Sequence, residues 1–229
     1  MYTCTAYQPD GGVKKGEKFV GTVVSTSSAG HNIPEGKWRD GICNFIANGI
    51  CHPMCCLACW CSPLALGQVA SRMKLDAKGN PLSSSTASWW TAFKVIALVL
   101  VMYIGVDQTF SIFIDPYFQF DIDDETGQVV YADASSVPTW IAVIVALRAF
   151  VRFVFFAYIL FMTIRTRAYI RHKYAIEESA CRGCEDCCCA FWLPCCTITQ
   201  MARHTADYNT YHAACCTDTG LPPQAPEVV

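Results

Sequence analysis

The sequence predicts a mostly helical integral membrane protein: two transmembrane helices and two cysteine-rich helical halves packed together. Three observations carry this. Residues 89–106 and 140–164 are apolar over the length a bilayer requires. Hydrophobic residues make up 53% of the chain and charged ones 16%, a balance that leans toward a membrane protein. A cysteine-rich stretch also occurs twice. Cys55-Cys56-Leu57-Ala58-Cys59-Trp60, running to Gln68-Val69-Ala70, returns as Cys187-Cys188-Cys189-Ala190-Phe191-Trp192, running to Gln200-Met201-Ala202. The offset is 132 residues throughout (Cys55 to Cys187), which marks two halves of one unit.

Taken in order, residues 1–37 form a polar segment rich in Gly, Ser and Thr. Val20, Thr22 and Val24 alternate, so 18–27 reads as a short edge strand, and His31 as a loop residue. The first cysteine-rich half covers 38–75. Residues 42–71 carry no charged side chain but are broken by Gly49, Pro53, Pro63 and Gly67, which favours short helices in a buried or re-entrant hairpin. A polar linker at 76–88 leads to the first span, 89–106, where Trp89 and Trp90 suit an interfacial belt. An acidic loop follows at 107–137. The second transmembrane segment is 138–164, with Pro138 where a helix start tolerates proline. The second cysteine-rich half is 165–216, and 217–229 is a proline-rich tail, a strap or a loose end.

Charge sets the orientation. The loop holds Asp107, Asp115, Asp121, Asp123, Asp124, Glu125 and Asp133 and no Lys or Arg, whereas Arg72, Lys74, Lys78, Arg165, Arg167, Arg171 and Lys173 flank the spans on their other ends. By the positive-inside rule both halves and both termini lie on the cytoplasmic or equivalent side. The run at 121–125 lacks the spacing of a calcium loop and reads as a solvated acidic turn. Within the spans, Lys94, Arg148 and Arg152 stand without an acidic residue between the limits assigned. Lys94 is close enough to the end to snorkel. Arg152 falls near the midplane with Arg148 one turn earlier, a face that pairs locally, for example with Asp107, or meets lipid, another subunit or a second copy of the chain.

Sixteen cysteines, with no apolar leader in the first forty residues, point to a reducing compartment and to thiols, metal ligands or acylation sites. Disulfides and plain buried thiols stay open. Cys181-x2-Cys184-x2-Cys187 is the best ligand run, with Cys55, Cys56 and Cys59 as its complement; thiolates two residues apart can grip one zinc ion from a tight turn. An iron–sulfur cluster fits poorly, because the fourth cysteine followed by proline is missing. The net charge of −2 gives no footprint for nucleic acid. His172, His204 and His212 are scattered and no nucleophile–base–acid set forms, so the chain reads as non-catalytic. His204 and His212 fall at helical spacing with Ile198, Met201, Thr205 and Tyr208, which suits packing better than ligation.

Trp38-x2-Gly41-Ile42-Cys43, Gly49-Ile50-Cys51, Cys55-Cys56, Pro63 and Gln68-Val69-Ala70 resemble the first half of the placenta-specific-eight family, and Arg171-x2-Tyr174-x-Ile176, Cys181 and Pro194-x-Cys196-Thr197-x2-Gln200-x2-Arg203 its second half. That family includes onzin, cornifelin, the plant cadmium-resistance proteins and the fruit-weight regulators. Its cysteines before each glutamine are replaced here by Gly67 and Thr199, its cysteine after the first proline by Leu64, and its short link by about a hundred residues with two spans. The resemblance implies a membrane-associated helical protein, with plant members linked to divalent heavy-metal resistance and others to growth control. Two functions follow as expectations. One is binding or handling a divalent metal such as zinc. The other is an accessory or scaffold subunit of a larger membrane complex, or a homo-oligomer.

Overall fold

The computed structural model describes residues 33–42, 44, 52–82, 91–117, 120–122, 129–131, 138–179, 181 and 183–226. The strand expected at 18–27, His31, Cys43, Cys51, Trp89, Trp90 and the acidic 123–125 lie outside the described residues. Among the described residues there are six α-helices: α1 (Pro53–Trp60), α2 (Ser62–Arg72), α3 (Ala92–Ile114), α4 (Thr139–Lys173), α5 (Glu185–Trp192) and α6 (Pro194–His204). Proline opens α1 and α6 and stands in the first turn of α2, where its missing N–H costs nothing. The Thr91 side chain caps α3 by accepting from the Lys94 amide, and Arg171, His172 and Lys173 complement the negative end of α4.

Both long helices outrun the spans read from hydropathy. The first does not stop before Asp107 but continues to Ile114, so Asp107 is a helix residue and not part of the loop. Apolar residues resume after it, and two guanidiniums from α4 neutralise its carboxylate. The second runs past Ile164 to Lys173 because its polar last turns find partners: Arg165 on Asn80, Arg167 on Glu185 and Asp186, Arg171 on Glu178. Between them lie a turn of 3₁₀ helix, Asp115–Tyr117, and a small antiparallel ribbon of β1 (Phe120–Ile122) and β2 (Val129–Tyr131), with Phe120 opposite Tyr131.

Both α3 and α4 are long and apolar enough to cross a membrane, with mean hydropathy 1.9 and 2.2 over their most apolar windows. Twenty-three residues of α3 rise about 35 Å against a hydrocarbon layer of about 30 Å. Those windows are only 6% and 0% buried, unlike the core helix of a soluble domain. Leu98, Val101, Met102, Ile112, Phe150 and Phe153 all face outward. The helices touch along one seam, where Tyr103 stacks on Phe155 at 4.0 Å.

The buried core lies at the other end. Met54 and Ala58 of α1, Leu66, Val69 and Ala70 of α2, Ile96 of α3, Met162 and Ile170 of α4, and Ile198, Met201 and Ala202 of α6 form one cluster. Burying a side chain such as Leu66 or Ile198 stabilises by roughly 1.5–3 kcal/mol. Gly67 lets α2 lie directly on α3: a Cβ there would meet Phe93 Cα at 3.0 Å. The helix expected to reach His212 ends at His204 instead, and the tail folds back so that Leu221 is buried against the core.

Candidate functional site

The repeat is a repeat of structure. Each half is a helical hairpin, 8 residues then 11, with one residue between. The linking residues are Cys61 (φ −142°, ψ 58°) and Leu193 (φ −133°, ψ 54°), and each follows an outward-facing tryptophan, Trp60 or Trp192. The 132-residue offset of the sequence holds for the start and end of both helices of the hairpin (Pro53 to Glu185, Arg72 to His204).

The glutamine and arginine of the first hairpin are buried and cross-link distant chain. Gln68 Nε2 donates to the carbonyls of Cys215 (2.8 Å), Thr217 (2.9 Å) and Ala214 (3.2 Å). Arg72 donates to Thr219 O at 2.7 and 2.9 Å, to Ala202 O at 3.0 Å, and to the hydroxyls of Thr205 and Tyr208 at 3.1 Å. Its charge is thus solvated by neutral oxygens of α6 and the tail. Gly220 (φ +71°) makes the approach possible: a Cβ there would stand 2.8 Å from Gln68 Oε1 and 3.0 Å from Arg72 Nη2.

The second hairpin is clamped by Arg167, which is fully buried. Its guanidinium donates to Gln200 Oε1 (2.6 Å), Asp186 Oδ1 (3.0 Å) and Glu185 Oε1 (3.3 Å), and lies 4.5 Å from the centre of the Trp38 ring. Gln200 Nε2 continues to the Asp40 carbonyl, and Arg203 to the Asp40 carboxylate at 2.7 Å. Burial pushes the Asp186 carboxyl up, opposed by Arg171 and Arg167. His204 is buried edge-on between Trp38 and Tyr174, its Nδ1 accepting from the Arg39 amide at 3.2 Å. Burial, helped by Arg39, lowers its pKa to about 4, so the ring is neutral at pH 7. Burial also lifts the Tyr174 phenol to about 12. His204 is therefore a packing residue, and His212 lies beyond the helix.

The proposed ligand cysteines do not meet as one set. Cys181 and Cys184 form a disulfide, S–S 2.11 Å and Cα–Cα 5.5 Å, so in this state neither offers a thiolate. Two cysteines separated by two residues satisfy disulfide geometry as readily as a metal turn, and spacing cannot tell them apart. Cys187 sits half-buried in the first turn of α5, Cys55 is buried in α1, and Cys56 and Cys59 are exposed. Cys59 instead contacts Cys55 one turn back and Cys195 of α6. Although the residue as a whole is exposed, partial desolvation of the sulfur, with Cys195 and Cys55 beside it, pushes its thiol up to about 11. At pH 7 such a group is about one part in 10⁴ thiolate, against a few per cent for an ordinary cysteine. Among the described residues no group of three or more His, Cys, Asp or Glu side chains is placed to hold a metal ion. Cys195, absent from the expected ligand set, is the neighbour that spacing alone missed; sixteen cysteines allow too many pairings.

The basic residues of the spans have partners. Asp107 receives Arg148 Nε and Nη2 at 3.0 Å each and Arg152 Nε and Nη2 at 2.7 and 3.0 Å, and Arg148 also reaches Ser111 Oγ at 2.6 Å. The local pairing to Asp107 is therefore present, although the Arg152 side chain remains 50% exposed. Lys94 pairs with Asp218 of the tail at 3.3 Å.

No curated protein and no solved structure matches the chain at a significant level. A family model does match, from Trp38 to His204, so it takes in both hairpins and everything between them. Its two limits are in contact, the Trp38 and His204 rings standing 5.1 Å apart. With most of its length so matched, the chain belongs to the PLAC8 family.

Proposed function

We propose that this chain is a non-catalytic accessory or scaffold subunit of a membrane complex. In this reading α3 and α4 cross the bilayer, and the two cysteine-rich hairpins form one unit on the cytoplasmic or equivalent side, opposite the acidic loop. The charge pattern supports the orientation: Arg72, Lys74, Arg165 and Arg171 lie at one end of the helices and Asp115 at the other. One observation carries the subunit reading. Asp107 is a single carboxylate shared by two guanidiniums, and Arg152 is half-exposed on a helix whose apolar window contains no buried residue. One positive charge is left over at the depth of lipid tails, where such groups face protein or water. A polar or acidic group on a neighbouring helix, from another subunit or a second copy, would balance it.

The test is Arg152→Leu in the full chain, with native gel mobility and crosslinking in mild detergent as readouts. The variant is expected to leave the assembly while keeping its helices. An assembly of unchanged size in Arg152→Leu, or a wild-type chain that runs as a monomer, would refute the reading.

A second reading, the handling of zinc or a similar soft divalent cation, is favoured by the contact of Cys59 with both Cys55 and Cys195. Binding would draw these neighbouring thiols onto the ion with loss of their protons, so affinity would rise steeply with pH. Elemental analysis of the purified chain beside Cys59→Ser/Cys195→Ser and Cys181→Ser/Cys184→Ser variants checks it. About one zinc per chain, lost in the first variant, supports this reading; no metal at pH 8 ends it.

A further inference from the structure

The hairpin turns are the part of the molecule that the buried cross-links leave unused. Trp60 is 91% exposed and Trp192 75%, with Phe191 and Leu193 also outward. Four large apolar side chains at the tips of two related hairpins need a cover.

The helices show where these tips lie relative to the spans. Ser71 near the end of α2 accepts a hydrogen bond from the Phe93 amide at the start of α3, while Gly67, one turn earlier, faces both Phe93 and Ile96. Read backwards, α2 therefore runs alongside α3 in the direction of the membrane-spanning part, and Ser62 is about 14 Å of helix beyond Ser71. The second hairpin does the same against α4. Asp186 is level with Arg167, and five residues further Phe191 meets the Phe156 ring at 6.0 Å, edge to face. Phe156 lies nine residues on the loop side of Arg165, inside the apolar stretch of α4. Close by, the Tyr158 hydroxyl donates to Ala77 O at 3.1 Å, an aromatic with one polar contact, as at a headgroup boundary.

The tips are also built for a medium poor in water. No charged residue occurs from 42 to 71 or from 187 to 202. At each turn a proline, Pro63 or Pro194, removes an amide that would otherwise be orphaned. Ser62 Oγ donates to Ala58 O at 2.5 Å and Thr197 Oγ1 to Cys189 O at 2.8 Å, so carbonyls at the end of each short helix gain a donor from the next. The linking amides of Cys61 and Leu193 donate to Leu57 O and Cys189 O at 2.8 and 3.0 Å.

We propose that the turns Trp60-Cys61-Ser62 and Trp192-Leu193-Pro194 seat in the bilayer interface from the same side, as twin shallow re-entrant hairpins whose partner is phospholipid. The proposal rests on the reading that α3 and α4 cross the membrane. Tryptophan at the tip suits the headgroup boundary, where its ring is buried and its N–H stays wet. The duplicated unit is thereby held at two further points and its tilt relative to the spans is fixed.

The experiment places p-benzoylphenylalanine at position 60, 192, 153 or 177 of the full chain, reconstituted in phosphatidylcholine vesicles. Phe153 is an outward residue of α4 and reports the spans; Glu177, beyond the end of α4, reports the aqueous side. Expected are phospholipid adducts at 60 and 192 comparable with those at 153 and about tenfold above those at 177. Adducts at 153 but not at 60 and 192 would overturn the proposal while leaving the spans in place. Adducts from 60 and 192 to a second copy of the chain, in place of lipid, would overturn it too. Absence of lipid adducts even at 153 would overturn the membrane reading first and this proposal with it.

Discussion

Acidification should strip stability from the fold through His204. The ring is wholly buried against Trp38 and Tyr174, and burial with the nearby Arg39 holds its pKa at about 4, against 6.5 for the unfolded chain. Between these values the unfolded state binds a proton and the folded state does not. Stability is therefore complete above pH 6.5 and falls as pH drops toward 4. A gap of about 2.5 units corresponds to about 3 kcal/mol, or roughly 10 °C in Tm for a chain of this size. The comparison is with His204→Gln, whose side-chain oxygen can still accept from the Arg39 amide but cannot titrate. Thermal unfolding in detergent at pH 7.5, 6, 5 and 4.5 gives two curves. Other groups, such as His52 and Asp186, titrate equally in both and cancel in the difference. The wild type should lose roughly 2–3 kcal/mol more than the variant between pH 7.5 and 4.5. Parallel curves would show that His204 is protonated without penalty, and the account of its burial would be wrong.

Arg72→Met should destabilise by about 3–5 kcal/mol, because it strips donors from Thr219 O and Ala202 O inside the core; chemical unfolding in detergent measures it. Gly220→Ala should cost roughly 2 kcal/mol or more through the positive φ and the collision with Gln68 and Arg72, and a matched Gly41→Ala, with open space around it, should cost under about 1 kcal/mol in the same assay. Alkylation of Cys59 by iodoacetamide at pH 8, followed by mass spectrometry, should be at least about tenfold slower than that of Cys215, which is exposed as Cys59 is, and should accelerate up to pH 11. Equal rates at pH 8 would mean that Cys55 and Cys195 do not hold the thiol protonated.

Much of the architecture can be read from the chain, and the residues that escape reading share a cause. The apolar runs and the duplicated cysteine stretch mark α3, α4 and both hairpins, since hydropathy and repetition are local properties. The end of α3 was hidden because Asp107 looks like a boundary to any hydropathy count; only two arginines forty-odd residues away make it a helix residue. Cys181 and Cys184 have the spacing of a zinc turn and of a disulfide alike. Spacing groups Cys59 with Cys181, yet its neighbours in space are Cys195 and Cys55. Gln68 and Gln200 are legible as members of the repeat and Arg72 and Arg167 as basic flanks, but their partners are oxygens whose position depends on the fold. The halt of α6 at His204 is likewise a packing event, set by Arg72 donating to the Thr205 hydroxyl just past the last turn.

The contact between Arg165 and the 76–82 turn has a consequence for how such a chain could have arisen. Arg165 Nη2 donates to Asn80 Oδ1 at 2.5 Å, and the Cβ position at Gly79 lies 2.6 Å from Arg165 Cβ. The chain thus leaves the paired hairpins and re-enters them at one place, with the whole excursion through α3, the ribbon and most of α4 closed at its base. Entropy of closure grows only with the logarithm of length, so a detour begun and ended at a single point costs little more than a short loop would. A unit of paired hairpins could acquire such a pair of helices, or shed them, without moving the ends it must join.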